Sequence, residues 1–349
     1  MDFKEWLLNE VDWEGDFSDV KKECIGHDAL VEYLNSVRAN YGKKTADREK
    51  FPASMPFVHA RSELFKDGDL DVEDFARRMN EPPKNIVNTN EKILKSGGPH
   101  EFVYKTGIPA FRGIVYDKGK GKFYVINTCP GAGSCVVICY ARHGRYIQYP
   151  NAYDSMTRRL NFLLNHPDQY EEQMYKEMKE KCEEHGAREG YKPKVIMRWN
   201  DSGDFFTNRY KKIAEGVMAR LKKDGYNVDS YAYTKVADVA DNSEFQTTFS
   251  SGANMTQTGK VDFAKHKMSL VVPKEVFRDL DLMKISDEQT LKQRVAKKFV
   301  LPVGDVLTYG EMMAMPKGEV PRWHVLVTPG DGDDAAFRKD VKTILLTQH

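Results

Sequence analysis

The stretch "KVIMRWNDSGDFF", Lys194 to Phe206, joins two unlike halves: an apolar run of strand length, then a loop of polar residues around a glycine. An apolar run that does not alternate with polar residues suits a strand covered on both faces, the condition inside a parallel sheet. The segments after it agree with that. "NRYKKIAEGVMARLKKDG" places Tyr210, Ile213, Val217 and Leu221 on one side of a helix and stops at Gly225. "SYAYTK" (Ser230 to Lys235) then resumes the strand signal, so the segment reads as strand, helix, strand.

The same alternation continues outward. Toward the C-terminus "FQTTFS", "MSLVVP", "KKFVLPV" and "RWHVLVTP" read as strands, and "DDAAFRKDVKTILL" reads as a final helix. Toward the N-terminus a long helical stretch is broken at Pro167, and its second part repeats Tyr170, Met174, Met178 and Cys182 every four residues, an ordinary packed face. Before it, "KFYVIN" (Lys122 to Asn127) reads as a strand that runs straight into a cysteine-bearing loop. The first hundred residues look helical: "HDALVEYLNSVRANYG" sets Leu30, Val31, Leu34 and Val37 on one face, and "DVEDFARRMNEPP" ends at a proline pair. "KSGGPHEF" marks a soft boundary, giving a helical N-terminal region over 1–98 and an α/β domain over 99–349. The fold class expected is α/β with a mainly parallel sheet, open or barrel-like, the partial (βα) barrel being preferred.

Composition narrows the function classes. Apolar residues make up 40% of the 349 and charged residues 30%, as in a globular chain, and no apolar run is long enough to cross a bilayer. The acidic start "MDFKEWLLNEVDWEGDF" lacks the pattern of a secretory signal, so a cytoplasmic protein is expected. Lys and Arg total 53 against 52 Asp and Glu, a net charge of +1 that gives no global reason to expect nucleic acid or membrane. An odd count of five cysteines in a reducing compartment speaks against a disulfide framework.

Ligands collect at the carboxyl ends of parallel strands. Three successive candidate strands end in unusual polar sequence: "TCPGAGSCVVIC", "NDSGDFF" and "YTK". If these strands are parallel neighbours, the three loops share one rim. Cys129, Cys135 and Cys139 are spaced C-x5-C-x3-C in a loop carrying Gly131 and Gly133, which let the backbone curl around a metal. With His143 as a fourth ligand the set is Cys3His, suited to a closed, structural zinc site. Without it, three thiolates fit a 4Fe-4S cluster that keeps one iron open for a cosubstrate. Asn200, Ser202 and Asp204 on the second loop, with Thr234 and Lys235 on the third, are the polar groups that would hold such a small molecule. For Asp204 an N-cap of the next helix is an equal reading, and Lys235 also reads as a solvated helix-start lysine.

Taken in order, the blocks resemble the phage gene product 88 family. They are "CPGAGSCVVICYARHGRY", "RWNDSGDF" and "YAYTK", with a weaker likeness in the "GDGDDAA" tail. The residues that carry it are Cys129 to Ala132, Cys135, Cys139 to Ala141, Gly144, Tyr146, Arg198, Ser202 to Phe205, and Tyr231 to Lys235. That signature in turn resembles a divergent radical S-adenosylmethionine (SAM) site. The resemblance implies a 4Fe-4S cluster on Cys129, Cys135 and Cys139 and an amine-binding role for Asp204. It also implies reductive cleavage of SAM by an enzyme whose substrate the sequence does not name. The alternative from another class is a non-catalytic metalloprotein, with zinc or an iron-sulfur cluster, that binds nucleic acid or a host partner.

"GDGDD" (Gly330 to Asp334) fails as a calcium loop because Lys342 stands where an acid is needed, and it reads as a glycine turn opening the last helix. A phosphate- or ribose-contacting role is the weaker reading of the same turn. "DKGKGK" (Asp117 to Lys122) reads as a solvated hairpin turn.

Overall fold

A computed structural model describes residues 17–32, 35, 65–66, 69–142, 150–241 and 244–347. In chain order its strands are β1 (Lys22–Ile25), β2 (Phe65–Lys66), β3 (Asp69–Leu70), β4 (Glu101–Lys105), β5 (Arg112–Asp117) and β6 (Lys122–Asn127). They continue with β7 (Lys194–Trp199), β8 (Val228–Thr234), β9 (Gln246–Ser250), β10 (Met268–Val272), β11 (Val306–Thr308), β12 (Trp323–Val327) and β13 (Val341–Thr347). The chain divides into two compact units. One comprises Met1–Val87, Thr106–Glu180 and Asn200–Leu221, the other Asn88–Lys105, Lys181–Trp199 and Lys222–His349. Both therefore draw on residues from either side of the Gly97-Gly98-Pro99 turn.

The first unit is built on an antiparallel sheet in the order β1-β6-β5. Helix α1 (Val72–Asn80) starts at Asp71, whose carboxylate accepts from the Asp74 N–H. Helix α2 (Pro150–Asn165) lies over β5, close enough that any Cβ at Gly113 would run into Leu160. Its asparagines also satisfy the unpaired edge of that strand, which the helix covers. Asn161 donates to Ile114 O and accepts from Tyr116 N, and Asn165 donates to Tyr116 O, at 2.9–3.0 Å. Helix α3 (Pro167–His185) follows directly, broken from α2 at the proline as expected, with Tyr170, Met174, Met178 and Cys182 fully buried. Helix α4 (Asn208–Lys223) buries Tyr210, Ile213, Val217 and Leu221. Each such aliphatic side chain contributes about 1.5–3 kcal/mol.

Among the described residues the second unit holds an eight-stranded sheet in the order β11-β12-β13-β10-β9-β8-β7-β4. Every pairing in it is parallel. The α/β class and the parallel sheet are as expected. The sheet is open, however, with β4 and β11 at its edges, so the barrel-like form gives way to the open one. Strands β4, β7, β8, β9 and β10 are laid side by side. The chain then restarts at the far edge with β11 and returns through β12 to β13, which closes against β10. "KVIMRW" is the buried strand β7, paired on both sides. Ile196, Tyr231, Val325, Ile344 and Phe337 pack on one face of the sheet, and Val272, Val295, Leu326 and Leu345 on the other.

Four local expectations are corrected. "KFYVIN" is a strand, β6, but it pairs antiparallel with β5 and β1 and is no neighbour of β7, so the three-loop rim of parallel strands does not form. "KKFVLPV" is not a strand. It closes helix α5 (Ile285–Phe299), and Val300 takes the left-handed cap at φ 55°. "DDAAFRKDVKTILL" holds only the short helix α6 (Asp334–Phe337) before the chain turns into β13. The N-terminal hundred, read as helical, is helical over 27–32 and in α1 but also includes the strand β1, and Leu34 and Val37 lie outside the described residues.

Candidate functional site

The cysteine loop leaves β6 through Thr128, a buried residue that fastens it in three directions. The Thr128 hydroxyl donates to Pro109 O at 2.5 Å and its N–H to Phe111 O at 3.1 Å, while its carbonyl accepts from Asp204 N at 2.9 Å. Cys129 N–H donates to Asn127 Oδ1, and a turn over Pro130 and Gly131 brings Ala132 N to Cys129 O at 3.0 Å. The chain then winds as a 3-10 helix over Ser134–Ile138, which carries Cys135, and leaves it at Cys139 in an extended conformation. Tyr140 ties the far end of the loop by donating its hydroxyl to Asp201 O.

All three cysteines are half-buried, and among the described residues no cysteine is in a disulfide. Cys129 Sγ accepts the Phe111 N–H at 3.2 Å. Among the described residues no group of three or more His, Cys, Asp or Glu side chains stands ready to hold a metal ion. His143, Gly144 and Tyr146 lie outside the described residues. Cys182, by contrast, is an inert core thiol that burial pushes up to about 12.

The Asn200–Asp204 loop belongs to the same unit and is bound to the Thr106–Ile108 segment. Asp201 N donates to Thr106 O at 2.9 Å and Ile108 N to Ser202 O at 3.0 Å. The approach is so close that a Cβ on Gly107 would collide with the Asp201 carboxylate, and one on Gly203 with Ile108. Gly203 also sits at φ 79°, which explains the glycine of "SGD". Asn200 takes the left-handed region at φ 55° and accepts the Tyr210 hydroxyl through Oδ1 at 2.8 Å. Its Nδ2 and the Ser202 Oγ are buried and have no hydrogen-bond partner among the described residues. Beneath the loop the buried Arg159 guanidinium donates to Gly107 O at 3.0 Å, Ser155 Oγ at 2.6 Å and Asn85 O at 3.3 Å. Burial lowers its pKa, and the Asp201 charge acts in the opposite sense.

Asp204 is buried, and its Oδ1 accepts from Phe205 N at 2.8 Å. It does not cap the next helix. Helix α4 starts at Asn208, where Thr207 Oγ1 accepts from Arg209 N and Asp19 Oδ2 accepts from Asn208 N at 2.8 Å. Asp19 also accepts the Thr207 hydroxyl at 2.7 Å. Nothing in the local sequence around α4 signals this distant cap.

Thr234 and Lys235 close β8 in the second unit, where Thr234 Oγ1 holds the turn by accepting from Val236 N and Lys235 is half-buried. Two other residues of the recognised blocks meet there on a partner that sequence reasoning passed over. Arg198 Nη1 lies 2.5 Å from Asp333 Oδ2, and the Tyr231 hydroxyl donates to the same oxygen at 3.0 Å. Lys92 Nζ stands 3.1 Å from Asp333 Oδ1, and Ser96 Oγ accepts the Asp333 N–H. Burial raises the Asp333 pKa, but Arg198 and Lys92 outweigh it and hold the carboxyl below its ordinary range. Its neighbour Asp334 accepts from Gly97 N and from the Tyr309 hydroxyl, and burial leaves its pKa raised. The "GDGDD" segment thus supplies one buried counter-ion, Asp333. The weak similarity in that tail was the one signal that could have found it.

Among the described residues no helix is long and apolar enough to cross a membrane. The family model described as Gene product 88 matches residues 84–339. No curated protein and no solved structure matches the chain.

Proposed function

The chain belongs to the Gene product 88 family, and from that premise we propose that it is an iron-sulfur protein whose Cys129, Cys135 and Cys139 hold a 4Fe-4S cluster. The observation that supports this is the cysteine loop: three half-buried thiols in eleven residues, fastened at one end by Thr128 and at the other by Tyr140. The donor set fits a cluster in its chemistry, since thiolates are the ligands of iron-sulfur centres. Among the described residues the three thiols form no donor group, so binding a cluster requires the 3-10 segment between the fixed ends to adjust.

The finer reading is that the protein is an enzyme using SAM. A cluster held by Cys129, Cys135 and Cys139 would supply, when reduced, one electron for the cleavage of SAM. The work of this chain's own residues is to hold the cosubstrate's amino-acid end. Asp204 offers a carboxylate to the ammonium, while Asn200 Nδ2 and Ser202 Oγ offer two buried donors to the carboxylate. Buried donors left without a partner are costly, and a ligand oxygen would satisfy them.

A second reading rests on β6, which stands in a small antiparallel sheet rather than in the parallel one. That placement favours a non-catalytic metalloprotein, with zinc on the three cysteines and His143, that binds nucleic acid or a host partner.

Anaerobic purification followed by iron, sulfide and zinc analysis separates the two. Iron and sulfide near four per chain support the cluster, and reductive formation of 5′-deoxyadenosine supports SAM use. Stoichiometric zinc without sulfide moves the assignment to the second reading. A folded chain that takes up neither removes both.

A further inference from the structure

Phe111 has a backbone conformation that a bulky residue seldom adopts, with φ at 69°. Its two neighbours are drawn together across it, Arg112 N donating to Ala110 O at 2.9 Å. A two-residue closure at positive φ is the rare and strained form of the γ-turn. It occurs where the β5–β6 ladder ends, one residue beyond the Arg112–Asn127 pair. Continued as a strand, the Phe111 N–H would run on along the ladder. The turn aims it instead at Cys129 Sγ, 3.2 Å away, while Phe111 O still accepts from Thr128 N.

We infer that Phe111 is the positioning residue of the cysteine loop. Its main-chain N–H fixes the Cys129 sulfur and makes Cys129 the anchoring thiol at which metal first binds. The inference rests on the metal reading of the loop. Strain of this kind persists only where the surroundings over-determine it, and it concentrates at functional sites. Here Thr128 supplies that determination through its bonds to Pro109 and Phe111. An N–H donated to sulfur holds the side chain in one place and fixes the direction of its remaining lone pairs. Cys135, on the 3-10 segment, and Cys139, at its exit, then complete the set.

The test begins without metal. In protein labelled with 15N-phenylalanine, the Phe111 amide is identified by its loss in Phe111→Leu, and its hydrogen exchange is followed. Exchange should quicken about tenfold in Cys129→Ala, the effect of losing one hydrogen bond, and stay unchanged in Cys135→Ala. Equal rates in both overturn the bond.

Cobalt(II) is then titrated under reducing conditions, read by its thiolate charge-transfer band. Cys129→Ala should lose about tenfold more affinity than Cys135→Ala. Equal losses in the two cysteine variants overturn the anchoring role. A wild-type chain that takes up no cobalt overturns the anchoring role and the metal reading together, and the exchange result then decides the bond by itself.

Discussion

The Asp333 carboxylate and the Arg198 guanidinium, 135 residues apart in sequence, meet at 2.5 Å with both side chains almost wholly buried. Removing one partner of a buried pair leaves the other charge without compensation, which costs about 3–5 kcal/mol. Asp333→Asn should therefore lower stability by about 3 kcal/mol at neutral pH. Asp334→Asn should change it by no more than about 1 kcal/mol, because burial opposes the Asp334 charge and an amide can keep its bonds to Gly97 N and the Tyr309 hydroxyl. The two also differ in sign with pH. The folded pKa of Asp333 lies below its unfolded value, so its contribution is present above about pH 4 and is lost as pH falls below that. Asp334, with a raised pKa, costs stability when ionised and is relieved as pH falls. Urea midpoints of the wild type and both variants from neutral to acid pH check this, and equal midpoints would refute it.

Gly203 and Gly107 bring the Asn200–Asp204 loop against the Thr106–Ile108 segment, and neither site has room for a methyl group. Gly203→Ala adds left-handed strain to that collision and should destabilise by about 2–3 kcal/mol. Gly186 has a similar φ of 63° with nothing near its Cβ position, so Gly186→Ala should lose only about 1 kcal/mol. Thermal melting of the two variants side by side gives the comparison.

Asp204→Asn tests the amine-binding role directly. A charge-assisted bond contributes about 1.5–3 kcal/mol, so the variant should bind SAM roughly ten- to a hundredfold more weakly with unchanged iron content. Its stability should stay near wild type, since the cap of α4 lies on Thr207 and Asp19. Asp19→Ala, by the same geometry, should lower stability by about 1 kcal/mol without touching SAM affinity. Calorimetric titration of the anaerobic proteins measures the affinities, and equal SAM affinity in Asp204→Asn and wild type would end the role assigned to Asp204.

Tyr140→Phe removes the hydroxyl that ties the exit of the cysteine loop to Asp201 and leaves a half-exposed ring in place. Losing a bond of about 1 kcal/mol should raise the open population of the loop about fivefold. Cys139 should then react with a thiol reagent several-fold faster, with no change in melting temperature beyond a few degrees. An unchanged rate would show that the tether does not restrain the loop.

Local pattern alone settled much of this molecule. The apolar run "KVIMRW" is the buried strand β7, and the repeats Tyr170–Met174–Met178–Cys182 and Tyr210–Ile213–Val217–Leu221 are the buried faces of α3 and α4. These readings hold because side-chain periodicity is a property of a few consecutive residues. Pairing is not. "KFYVIN" has the composition of any strand, and only its partners β5 and β1 place it in an antiparallel sheet. "DVKTILL", read as the end of a helix, carries the β-branched Val341, Thr343 and Ile344 that favour a strand, and as β13 it lies between β10 and β12 with ladder bonds on both sides. The cysteines and the "SGD" loop were legible as unusual chemistry in short spans. The N–H that meets Cys129, the cap from Asp19 and the counter-ion of Arg198 come from residues far away in the chain, and only the folded backbone brings a hydrogen-bond donor or a buried charge to its partner.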